Sequence, residues 1–155
     1  MIPTTIEQHL RQHHRGYQHH HHPAVMSAQE LAQAEHVKGR RVAKPVALTV
    51  GGRRALAVVS AADRVRLAVL EEAVGAPVDL ASEHEMATWF SSCQVGAEPP
   101  LAIFGLPIFV DARLLRERQL VMPAGTYEDS VLVDTEEWAH CENVQEIPNL
   151  GTAQA

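Results

Sequence analysis

The side chains best equipped for chemistry here are basic residues, histidines and cysteines, and they are unevenly placed. Lys38, Arg40, Arg41, Lys44, Arg53 and Arg54 fall within seventeen residues that contain no Asp or Glu. Such a cluster suits contact with a few phosphates, because each neutralised phosphate needs its own cation; a solvated surface face would use the same residues. Lys44 stands at the entry to an apolar run, where a lysine point charge can hold a phosphate or a carbonyl oxygen. Histidine is concentrated at His9, His13, His14 and His19 to His22, which raises the question of metal. No carboxylate or second histidine pair stands at ligand spacing, and His84-Glu85 lacks the second histidine of an HExxH helix, so adventitious affinity but no metal site is expected. Cys93 and Cys141 have no paired spacing and point to a reducing, cytoplasmic setting. No base adjoins Cys93, so a structural thiol is the commoner assignment. The chain has no Walker loop, GxGxxG or GxSxG elbow, which removes support for nucleotide hydrolases and α/β-hydrolases.

These residues must be positioned by a chain of 155 residues, 46% hydrophobic and 21% charged, with a net charge of -6. That composition predicts one ordinary globular domain burying roughly 70% of its unfolded surface, with no need of disulfides or metal for a core. The longest apolar stretch, residues 101–110, is about half a bilayer span and is broken by Gly105 and Pro107, so no membrane segment is expected. The N-terminus lacks a signal pattern. Acidic residues gather beyond Arg118, so the molecule is bipolar in charge.

Ile6 and Leu10 at i, i+4 predict a short amphipathic helix before the histidine run. Ser27 with Glu30 and Ser82 with Glu85 are capping boxes opening two further helices, and Asp134 with Glu137 starts a last helical turn. Residues 46–50 and 55–60 around Gly51-Gly52 predict a hairpin. Asp63 is expected to cap a helix bearing Leu67, Leu70 and Val74. Residues 101–104, 108–110, 120–122 and 131–133 read as strands, and residues 148–155 as a loose tail. Without a βαβ rhythm, the expected fold is α+β: a single domain with a mixed, largely antiparallel, partly barrel-like sheet flanked by helices.

The order of these features resembles the YbaK/EbsC-like aminoacyl-tRNA deacylases, freestanding relatives of the prolyl-tRNA synthetase editing domain. The resemblance rests on five segments in order between about residues 20 and 140. They are His22-Pro23 with SAQELAQA, VAKPVALTV, the GxxxP loop from Gly96 to Pro100, FGLPIFVDARLL, and MPAGTYEDSVLVDTEEW. It implies an editing domain over residues 23–147, with residues 1–22 as an N-terminal extension of the same domain and 148–155 as its tail. It implies hydrolysis of the ester joining a wrong amino acid to the tRNA 3′ end, without cofactor, in the cytoplasm. Family habit favours a small amino acid such as alanine, serine or cysteine. The expected partner is the acceptor end, with an aminoacyl-tRNA synthetase as a further candidate. The resemblance assigns catalysis to Lys44, Gly96 and Pro100, and substrate binding to His22, Asp111 and Gly125; the cationic window adds Arg40 and Arg41 as phosphate contacts. Pro45 and Glu98 depart from the family's pattern, which leaves open altered substrate choice or a non-catalytic module binding a nucleotide or tRNA end.

Overall fold

A computed structural model describes residues 1–153. The chain runs through α1 (Thr4–His13), β1 (Gln18–His21), α2 (Ala28–Ala34), β2 (Ala43–Val50), β3 (Arg53–Ser60), β4 (Asp63–Val65), α3 (Leu67–Val74) and β5 (Val78–Leu80). It continues through α4 (Glu83–Trp89), β6 (Ile108–Asp111), β7 (Gln119–Pro123), β8 (Asp129–Asp134), α5 (Thr135–Cys141), β9 (Gln145–Ile147) and β10 (Gly151–Ala153). The fold is α+β, with a mixed five-stranded sheet in the order β5-β2-β3-β6-β9 that does not close into a barrel. A three-stranded sheet, β1-β8-β7, joins it through a bridge between Val42 and Val121, and β10 pairs with β4.

Sequence explains the centre of this arrangement. Residues 55–60 are buried without interruption because β3 lies between β2, antiparallel, and β6, parallel, with a core on each face. Leu56 and Val58 join the larger core with Ile6, Leu10, Leu101 and the fully buried Trp138; Ala57 and Val59 join a second core with Leu70 and Leu150. The period-two alternation of a strand produces this division. The amphipathic helix, the hairpin and the Ser82–Glu85 capping box are present, whereas Ser27 is an N-cap without the return bond, because the Glu30 carboxylate takes the Met26 N–H instead. Ser27 accepts from the Glu30 N–H, and Ser82 and Glu85 cap reciprocally.

Three expectations are corrected. Asp63 caps no helix: its carboxylate takes the Arg113 guanidinium, its backbone lies in β4, and α3 begins after Arg66. Residues 101–104 form no strand. Leu101 is buried after Pro99-Pro100, and a 3-10 turn, Ala102–Phe104, follows, with the Ala102 N–H on the Glu142 carboxylate. The tail is not loose as far as Ala153: Leu150 is fully buried and β10 is hydrogen-bonded to β4. The tail's last two positions lie outside the described residues. The histidine run, for which the sequence carries no conformational signal, enters β1 with His19, His20 and His21. Pairing of β1 with β8 aims His19 and His21 at Asp129, while His20 faces Glu35 from the opposite side.

Candidate active-site cleft

Four remote segments meet around a small cleft of about 60 Å³. One wall comes from the arm around His22 and the start of α2, another from Ala43, Lys44 and Pro45, and the rest from Gly96-Ala97 and residues 123–129. The strand β2 pairs with β5 only from Leu48 onward, which leaves its first half unpaired on that edge. Pro45, which has no N–H to donate, therefore fits there without breaking a ladder.

Lys44 is half-buried, and its ammonium donates to the carbonyl of Asp63. Burial lowers its pKa, against the opposing pull of the Asp63 carboxylate. His22 is buried. Its Nδ1 lies 2.9 Å from the Pro23 carbonyl oxygen, and its Nε2 has no partner among the described residues. A carbonyl can only accept, so Nδ1 carries the proton and Nε2 presents a lone pair. Gly96 has φ +88° with open space where a Cβ would stand, so backbone conformation rather than crowding selects glycine.

Gly125 is buried beneath α1: a Cβ there would come within 2.6 Å of Pro3. Its N–H donates to the Ala97 carbonyl at 2.7 Å, and its carbonyl accepts from Gln94 at 2.9 Å, so it stitches the two loops together. Pro100 lies off the cleft. Its carbonyl accepts the Trp138 indole N–H at 2.9 Å, which anchors the end of the Gly96 loop. Asp111 is also away from the cleft, buried against Arg113 and the Gly151 N–H. Arg40 is exposed with Glu117 at 3.8 Å, and Arg41 is half-buried beside it in a 3-10 turn, Gly39–Arg41, immediately before β2. The structure thus brings His22, Lys44 and Gly96 together, places Gly125 and Pro100 behind them, and leaves Asp111, Arg40 and Arg41 outside the cleft.

Thr126, Tyr127 and Asp129 line the cleft without having been singled out in the sequence. Tyr127 clamps the loops, its hydroxyl donating to Val95 and its N–H to the Gln94 side chain, both at 2.7 Å. Burial alone would raise the pKa of Asp129, but hydrogen bonds from Thr126, the Met1 amino group, His19 and His21 outweigh it and hold the carboxyl well below the usual range. Their only signal was the glycine-containing loop itself, since a hydroxyl, a phenol and a carboxylate after a turn are unremarkable in sequence. Glu98 is wholly buried with both carboxyl oxygens unpartnered among the described residues, and burial pushes its pKa up to about 7. Burial likewise pushes the Cys93 thiol up to about 11, so at neutral pH it is not a thiolate.

Among the described residues, no helix is long and apolar enough to cross a membrane. No curated protein matches the chain. Solved structures do, over nearly their full lengths. A protein provisionally described as a trans-editing enzyme for prolyl tRNA synthetase aligns with TM-score 0.81 at 22% identity, covering 92% of each chain. The hypothetical protein APE2540 aligns with TM-score 0.86 at 17% identity, covering 95% of this chain and 99% of its own. A scaffold protein from work on epitope backbone grafting aligns with TM-score 0.84 at 21% identity, covering 94% and 95%. At these identities the likeness establishes the fold. The family itself is fixed by residues 22–141, which match the aminoacyl-tRNA editing domain; the segment holds His22, Lys44, the Gly96 loop and residues 123–129, and the chain belongs to that family.

Proposed function

We propose that this chain is a trans-acting editing hydrolase that releases a small amino acid from the 3′ end of a mischarged tRNA. The observation that carries the reading is the convergence of His22, Lys44 and Gly96, far apart in sequence, on one cleft within the family-matched segment. An aminoacyl ester is already activated, so positioning and charge stabilisation suffice and a covalent nucleophile is dispensable. In this reading the Lys44 ammonium leaves the Asp63 carbonyl for the substrate's terminal phosphate or ester oxygen. Gly96 keeps the wall free of side-chain atoms where the ester approaches. The His22 Nε2 lone pair accepts a proton from the attacking water. That water's oxygen bonds the ester carbon, the ribose oxygen leaves and takes a proton, and free amino acid and tRNA hydroxyl result. Arg40 and Arg41, beside the β2 entry, meet backbone phosphates, with the acceptor end as partner. Val25, Met26 and Leu31 supply an apolar wall.

Glu98 is the feature that favours a non-catalytic end-binding module. With its pKa near 7 it is largely protonated under mildly acidic conditions and carries only part of a charge at neutrality, so it repels an ester less than its type implies. A panel of mischarged tRNAs separates the readings. Deacylation predicts release of one or a few small amino acids, whereas tight binding of the acceptor end without release supports the module.

A further inference from the structure

We propose that His9, His14 and Glu142 form a binding site for a divalent transition ion of the zinc class, which fastens α1 to the end of α5. The three are separated by up to 133 positions, yet one ligand atom from each lies within 4.8 Å of the others. The Nε2 atoms of both histidines point at one carboxylate: His9 is 2.9 Å from each Glu142 oxygen, and His14 is 2.6 Å from Oε2. The side chains of His14 and Glu142 are fully buried, and that of His9 is 13% exposed, which leaves one side open for a water as fourth ligand. Two imidazoles and a carboxylate plus water is a ligand set suited to zinc. With metal bonds of about 2.0–2.2 Å, tetrahedral ligand atoms stand roughly 3.3–3.6 Å apart, so the His9 and His14 contacts to Glu142 need open by roughly half an ångström to one ångström.

The second nitrogen of His14 supplies an independent argument. When Nε2–H donates to Glu142, Nδ1 is left as a buried lone pair with no partner among the described residues. When Nε2 instead gives its lone pair to a metal, Nδ1 carries the proton and faces the Glu137 carboxylate, whose oxygen is 3.8 Å away. A side-chain shift that closes this gap to hydrogen-bond distance would supply the outer-sphere carboxylate that orients metal-bound imidazoles. The site also has a mechanical consequence. Glu142 holds the Ala102 N–H at 2.8 Å, and the opposite end of α1 covers Gly125 through Pro3 and Ile6, so an ion here would brace the helix that backs the cleft. None of the three ligands lines that cleft, so the ion is structural and independent of the proposed deacylation.

The test uses untagged full-length protein stripped by chelator, titrated with Zn²⁺ by calorimetry and with Co²⁺ by visible absorption. His20→Ala/His21→Ala removes competing histidines of the run and should retain one tight ion per chain, with the absorption of a four-coordinate cobalt site. His9→Gln keeps a helix-forming, hydrogen-bonding residue at a partly exposed position, so it should fold, yet lose more affinity than the roughly 10–100-fold typical of outer-sphere changes. Glu137→Gln should lose within that range. A hundredfold excess of Zn²⁺ over its Kd should raise the melting temperature of the parent by about 5–10 °C and that of His9→Gln by much less. Binding that disappears in His20→Ala/His21→Ala, or is unchanged in His9→Gln, overturns the site.

Discussion

Lys44 and Cys93 offer opposite tests at the scale of single residues. Lys44→Ala removes a half-buried ammonium without opening a core, so the protein should melt within a few degrees of the parent, while deacylation falls roughly a hundredfold to a thousandfold, as for loss of one donor to a developing oxyanion. Glu98 makes a pH-dependent prediction. Its carboxyl titrates near 4.5 when unfolded and about 7 when folded, so the folded state binds the extra proton between those values. Stability contributed by the neutral acid is complete below the lower value and is lost as pH rises through the upper one. Glu98→Gln should therefore be more stable than the parent at pH 8, by up to about 3 kcal/mol, and equal to it near pH 4. Denaturant melts at the two pH values decide this, and an unchanged difference would show that Glu98 is solvated. Of the residues that line the cleft, Lys44, His22 and Gly96 stood out in the sequence as motif positions. Asp129 and Tyr127 did not, because their roles depend on loops that meet only in three dimensions.

Among the elements, capping chemistry and hairpin glycines were readable because they act over three or four residues. Strand β10 and the 3-10 turn after Pro100 were not. Their conformations are set by Leu150 entering a core, and by the Gly151 N–H on Asp111 and Glu142 on Ala102, two bonds that each span 40 positions. Leu150→Ala should accordingly cost about 2–5 kcal/mol, measured by urea denaturation, as for other large-to-small core changes. A loose tail would give almost nothing. Gly125→Ala tests the seam between α1 and the cleft: at φ +98° with Pro3 at 2.6 Å, the methyl forces the helix outward. Destabilisation of about 1–3 kcal/mol is expected, with faster proteolysis of the N-terminal segment as the structural readout.

For the whole molecule, charge placement matters more than the net value of -6. Arg40 and Arg41 stand just before β2, whose Lys44 lines the cleft together with Asp129, so on the proposed function Arg40→Ala/Arg41→Ala should weaken tRNA binding and reduce its log–log salt slope by up to about 1.5. The α+β class followed from element order. The five-strand order did not, since the parallel partners of β6 are β3 and β9, neither of them next to it in the chain, and the His9–His14–Glu142 cluster was invisible because its members are likewise distant in sequence. The most direct measurement of the central claim is single-turnover release of amino acid from one mischarged tRNA by the parent, Lys44→Ala and Cys93→Ala. The account predicts release by the parent, near-parent rates for Cys93→Ala, and collapse for Lys44→Ala with its fold intact. An inactive Cys93→Ala beside an active Lys44→Ala would contradict it.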